Sequence, residues 1–157
     1  MNRQAIVAEL GTLLPLAAEW AKEQERRILR DGVPLSEQEI ADAKAAGVRA
    51  AERVRLLPVE SIPFPEHPLL RAACDATNFI PRAPRGLTVR YGIFIRSDCR
   101  HDRQIIAHEL IHTAQYERLG GIVPFLRNYL FECATAGYSA APMEREAIEA
   151  GQRVCAG

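Results

Sequence analysis

At 157 residues, 48% hydrophobic and 25% charged, the chain has the length and balance of one globular domain and is too apolar to be disordered. Its formal net charge is zero, which excludes the basic footprint of a nucleic-acid-binding domain; clusters such as Glu25-Arg26-Arg27 mix signs, as a solvated helix face does. No run approaches the roughly 20 apolar residues of a membrane span, and Glu9 and Glu19 interrupt the apolar stretch behind Met1-Asn2-Arg3 with no small-residue cleavage site after it, so a cytoplasmic protein is expected.

Gln4 to Leu29 reads as helix, because Ile6, Leu10, Leu13, Leu14, Ala17, Trp20 and Ala21 recur at helical intervals. Gly11 and Pro15 should break or kink it, and Asp31-Gly32 should stop it. Ser36-Glu37-Gln38-Glu39 is a capping box for a short helix ending at Gly47, which completes a helical part over residues 1–50. Val54-Arg55-Leu56-Leu57 and Val59 suggest a short strand. Four prolines between Pro58 and Pro68 keep the next stretch extended, and Pro68 suits the first position of a helix running through Asp75. His67 in this stretch reads as a surface loop residue.

After a loop from Ile80 to Gly86, the alternation predicts one strand from Leu87 to Ile95. Leu87, Val89, Tyr91, Ile93 and Ile95 would occupy one face, and Thr88, Arg90, Gly92, Phe94 and Arg96 the other. Asp102 is placed to cap a helix beginning at Arg103, and Gly120-Gly121 ends it. Pro124 then opens a helix through Phe125, Leu126, Tyr129, Leu130 and Cys133, which Gly137 closes, and Pro142 opens a terminal helix. This element count predicts one α+β domain over 1–157, mostly helical, with a small β-sheet next to the helix that starts at Arg103. Cys74, Cys99, Cys133 and Cys155 are widely spaced, without a Cys-x-x-Cys pair, and are expected as reduced thiols.

That helix carries His108-Glu109-Leu110-Ile111-His112. Residues four apart share a helix face, so the two imidazoles can converge on one metal ion while Glu109 stands beside it as a base. Such a pattern is rare by chance in a chain with four histidines. It points to Zn²⁺, which acidifies water from a pKa of about 15.7 to roughly 7 and so supplies a nucleophile at neutral pH. Catalytic zinc sites usually have a third protein ligand. His101 precedes the motif by only one or two turns and would have difficulty reaching its face. The Cys99/His101 pair has no recognised zinc spacing. Downstream carboxylates are the better source, with Glu132, Glu144 and Glu146 as candidates.

The stretch from about Gly86 to Ala150 resembles gluzincin-like metallopeptidases, which add a glutamate from a later helix to a His-Glu-x-x-His helix. In several of those families a small residue follows the ligand glutamate by three positions, as in Glu144-Arg145-Glu146-Ala147. His108 through Gly121, then Phe125-Leu126-Arg127-Asn128-Tyr129-Leu130, then Pro142 through Ala147, is similar to a family of small, largely uncharacterised bacterial proteins of this class. The resemblance implies a zincin-like metallopeptidase core over residues 86–150, with zinc held by His108, His112 and Glu144 and with Glu109 as general base. It implies peptide or protein substrates, aligned along an edge strand above the zinc helix. One departure is Ile148, where many gluzincins carry an Asp that supports a ligand histidine, so another group or water must do so here. Tyr116, Tyr129 and Tyr138 are candidate donors to a developing oxyanion. Two other readings stand beside peptide hydrolysis: a metal-binding regulatory or scaffold protein with little turnover, and a hydrolase of a non-peptide amide.

Overall fold

In the computed structural model, which describes residues 1–157, the N-terminal periodicity produces two helices, α1 (Arg3–Ala8) and α2 (Leu10–Asp31). The break falls at Glu9 (φ −97°, ψ 6°), and α2 runs through Gly11 and Pro15, contrary to the sequence expectation. Pro15 lies within the first two turns of α2. It removes one bond, to the carbonyl of Gly11, and Gly11 is exposed to water.

Strand β1 (Val33–Pro34) leads to α3 (Glu37–Ala45), whose capping box forms as read: Ser36 Oγ accepts from Glu39 N and Glu39 Oε1 accepts from Ser36 N. Strand β2 (Arg55–Val59) follows, then α4 (Pro68–Thr77). His67 is exposed, and its Nδ1 caps α4 by accepting from Leu69 N at 3.2 Å.

The single strand expected over Leu87 to Ile95 is a hairpin. Strands β3 (Gly86–Val89) and β4 (Gly92–Arg96) pair antiparallel, with Leu87 opposite Phe94 and Thr88 opposite Ile93. Arg90 turns the chain with a φ of 59°. The turn is held from outside: the buried Glu25 carboxylate of α2 accepts two bonds from the Arg90 guanidinium, at 2.7 and 2.8 Å, and one from Tyr91 N. Ile93 and Ile95 therefore face away from Leu87 and Val89.

The sheet order is β1-β2-β4-β3, with β2 and β4 parallel and the other neighbours antiparallel. On one face, Val89 and Phe94 join an apolar core with Leu13, Ala21 and Ile28 of α2. The approach of α2 is close enough that a Cβ on Gly92 would lie 3.0 Å from Ile28. On the other face, Leu56, Ile93 and Ile95 pack on Ile106, Leu110 and Ala114 of α5 (Arg103–Leu119). Asp102 caps α5 as expected, accepting from the Gln104 and Ile105 amides.

Two further helices complete this α+β fold, α6 (Ile122–Ala136) and α7 (Pro142–Ala156). Phe125, Leu126 and Tyr129 of α6 share the α2 core, while Arg103 of α5 forms an ion pair with the buried Asp42 of α3. The first 50 residues are thus built into the same body as the rest. Helix α7 lies on α5 through small residues: Ala147 is fully buried, and a Cβ on Gly151 would come within 3.3 Å of the His108 backbone. No helix is long and apolar enough to cross a membrane.

Candidate metal centre

The close contact of α7 with α5 brings one carboxylate to two imidazoles. Glu144 Oε1 lies 2.8 Å from His108 Nε2, and Glu144 Oε2 lies 3.2 Å from His112 Nε2. The ligand atoms of His108, His112 and Glu144 all fall within 4.8 Å of one another. Glu144 is almost wholly buried, His112 is 8% exposed, and His108 at 22% borders the solvent side. The other two glutamates are engaged elsewhere. Glu132 accepts from the Met143 amide at 2.9 Å, which caps the start of α7, and Glu146 meets Arg118 and Gln115.

Two tyrosines also converge on Glu144. Tyr129 donates to Oε2 at 2.9 Å and Tyr138 to Oε1 at 3.1 Å. Burial raises both phenols, and the Glu144 charge raises them further, so both remain protonated donors. Tyr116, fully buried and stacked on Phe125, donates instead to the Thr88 carbonyl. The His112 ring is boxed edge-on by Phe125 and Tyr129 of α6.

Gln115 supplies the support that Ile148 cannot. Its Nε2 donates to the Met143 carbonyl at 2.9 Å, so its Oε1 is the atom 2.8 Å from His112 Nδ1, and the His112 Nδ1–H donates to it. This assignment, made from the hydrogen bonds, leaves Nε2 of His112 aimed at the cluster. One amide thereby fixes a ring and the backbone beside Glu144. Sequence reasoning passed over Gln115, although its position three residues after His112 on a helix was a usable signal.

Glu109 stands outside the cluster, in the floor of the same cleft, and is 7% exposed. Thr88 Oγ1 donates to its Oε2 at 2.6 Å. The carboxylate lies so close to β3 that a Cβ on Gly86 would be 2.8 Å from Oε1 and 2.9 Å from Cγ. Neither Thr88 nor Gly86 was singled out from sequence, because their roles depend on the hairpin. His101 is exposed and, like Cys99, is not part of the cluster.

The electrostatics are those of a tightly shared carboxylate. Burial works against ionised Glu144, but the hydrogen bonds from His108 and His112 outweigh it and hold its carboxyl well below the usual range. Burial likewise works against protonated His112, and its hydrogen bond and attraction to Glu144 lift it to about 9. A cation and these protons compete for the same electron pairs. With the proton displaced, two imidazoles and one carboxylate whose rings both reach the cluster through Nε2 form a donor set that fits a divalent metal ion. The cleft around them has a volume of about 510 Å³. No family model, no curated protein and no solved structure matches this chain.

Proposed function

We propose that this chain is a zincin-like, zinc-dependent metallopeptidase of the gluzincin type, with His108, His112 and Glu144 holding the metal and Glu109 acting as general base. The observation that carries the reading is the convergence of two Nε2 atoms and one carboxylate from α5 and α7 beside a second, separately held carboxylate. A His₂Glu set suits catalytic zinc, which supplies Lewis acidity that acidifies water and polarises a carbonyl. Glu109 takes the proton from water through the oxygen that Thr88 leaves free, and later delivers it to the leaving nitrogen. Tyr138, half-buried at the cleft, gives its single phenolic proton to Glu144, and only by turning that proton away from the carboxylate would it donate toward a reacting carbonyl oxygen.

Edge strand β3 supports a peptide substrate. Val89 pairs with Gly92, and Arg85 O accepts from Arg96 N, so the alternation of the ladder turns the N–H and C=O of Gly86 and Thr88 to the free edge. Tyr116 occupies the Thr88 carbonyl, which leaves the Thr88 N–H and both main-chain groups of Gly86 as partners beside Glu109. A regulatory metal site with little turnover needs no base, and the hydrogen-bonded Glu109 facing the cleft favours hydrolysis over that reading.

The test is metal analysis together with hydrolysis of a mixed peptide library. The unaltered chain is expected to hold close to one zinc, H108A/H112A to lose it, and E109Q to keep it while hydrolysis falls by about two to four orders of magnitude. Full zinc in H108A/H112A, or equal turnover in E109Q, refutes the assignment.

A further inference from the structure

The cleft that holds the cluster has two chemically different walls. One carries the polar groups: His108, Glu109 and His112 from α5 and Glu144 from α7. The rest of the lining comes largely from α2, α4, α6 and the loop after α4, where Ala17, Trp20, Ala21, Leu70, Phe79 and Leu126 border the same cavity. Helices α2, α4 and α6 contribute no charged residue to it. The remaining charges sit at the mouth: Arg82 and Arg85 are exposed, and Asp102 is exposed and occupied in capping α5.

Ala17 and Ala21 lie one helical turn apart on α2, flanking Trp20, so the wall recedes between larger side chains. A cavity of about 510 Å³ falls in the range of sites that enclose a small ligand or a side chain. Burying one aromatic or branched aliphatic side chain against such a wall contributes roughly 1.5–3 kcal/mol, or about tenfold to a hundredfold in affinity. A charged side chain placed there would be desolvated with no partner.

We infer that the cleft selects peptides carrying a large apolar side chain beside the bond to be cut, seated against Trp20 between α2 and α6. This rests on the metallopeptidase reading for the position of the cut, but not for the binding preference. Gly86, the apolar residues and the metal cluster line one cavity, so a main chain bound along Gly86 can place one side chain on Trp20 with its carbonyl at the cluster. Arg82 and Arg85 disfavour basic residues at the mouth.

Trp20 is the single tryptophan of the chain, so its emission reports binding directly. The experiment titrates zinc-loaded E109Q with acetylated, amidated Gly-Gly-Xaa-Gly-Gly peptides, in which Xaa is Phe, Leu, Ala, Glu or Lys, and reads Trp20 fluorescence. Phe and Leu are expected to bind at least about tenfold more tightly than Ala, Glu or Lys, with a change in emission. Ala17→Leu, which narrows the recess, is expected to remove most of the Phe preference and leave zinc content unchanged. Should that variant fold poorly, the peptide series on the unaltered recess still decides. Equal binding of all five peptides, no binding, or binding seen by titration calorimetry without any change in Trp20 emission overturns the inference. Selective Phe binding without hydrolysis by the unaltered chain sinks the metallopeptidase reading alone. Hydrolysis with no side-chain preference sinks this inference alone.

Discussion

Thr88→Val isolates the contact that holds the proposed base. Thr88 Oγ1 is the side-chain donor to the Glu109 carboxylate, at 2.6 Å, and both residues are buried. Valine keeps the shape and removes the donor, so a nearly buried carboxylate loses a hydrogen bond of the charge-assisted kind. Such bonds contribute about 1.5–3 kcal/mol. Water in the cleft can reach part of the carboxylate, which places the loss near the lower end, at about 2 kcal/mol. For a chain of this length that corresponds to a fall in Tm of about 4–8 °C. A freed Glu109 also spends less time aimed at the cleft, so peptide hydrolysis is expected to drop by about 10–100-fold, a part of what a general base supplies. Thr88→Ser keeps the hydroxyl and should recover most of both losses, and zinc content should not change in either variant. Calorimetric melting, metal analysis and kcat/KM on one peptide provide the readouts. Thr88→Val melting and turning over like the unaltered chain would refute the reasoning, as would Thr88→Ser failing to restore turnover.

Gly86→Ala presses a methyl group against Cγ and Oε1 of the buried Glu109 that Thr88 holds, so the side chain must shift; a cost of about 1–3 kcal/mol and a fall in hydrolysis of about tenfold or more are expected, as compared by melting and kcat. Gly151→Val meets the His108 backbone, which cannot swing aside, so α7 must move off α5; a cost of about 1–3 kcal/mol and a clear loss of zinc affinity against a competing chelator are expected, although Gly151 touches no metal. The hydrogen bonds from Arg103 hold the Asp42 carboxyl below its usual range, with burial opposing them. Its contribution is therefore present above the unfolded Asp value of about 3.9 and is lost as pH falls through the lower folded value. Asp42→Asn should cost about 1 kcal/mol at pH 7, the scale of one partly exposed ion pair, and urea midpoints for the two proteins should converge as pH falls below the unfolded Asp value.

Local chemistry made much of this chain legible. Asp102, the Ser36 capping box, Pro68 and Pro142 each begin a helix where they were read to, because caps and first-turn prolines act within one turn of backbone. The spacing of His108 and His112 likewise fixes their shared face within one helix. Glu144 and Glu146 point about 200° apart on α7, so once that helix packs through Ala147 and Gly151 only one of them can face α5 at the histidines. The hairpin was not legible, because its turn has no Asn-Gly or Asp-Gly signal. Val89-Arg90-Tyr91-Gly92 continues the alternation, and the positive φ of Arg90 is sustained by Glu25, far away in sequence. Gln115 was missed for a related reason: its role depends on the Met143 carbonyl, which only the packing of α7 brings near.

The edges of the sheet carry a consequence for how this protein meets other chains. At one side β1 is two residues long and includes Pro34, which offers no amide proton, so an approaching strand finds almost no ladder to extend. At the other side β3 is four residues long and borders the cleft, with one of its outward carbonyls already bonded to Tyr116. Self-association by sheet extension is thus blunted at both borders. The short stretch of unpaired backbone that remains lies beside Glu109, so resistance to aggregation and access for an extended guest are set by the same few amide groups.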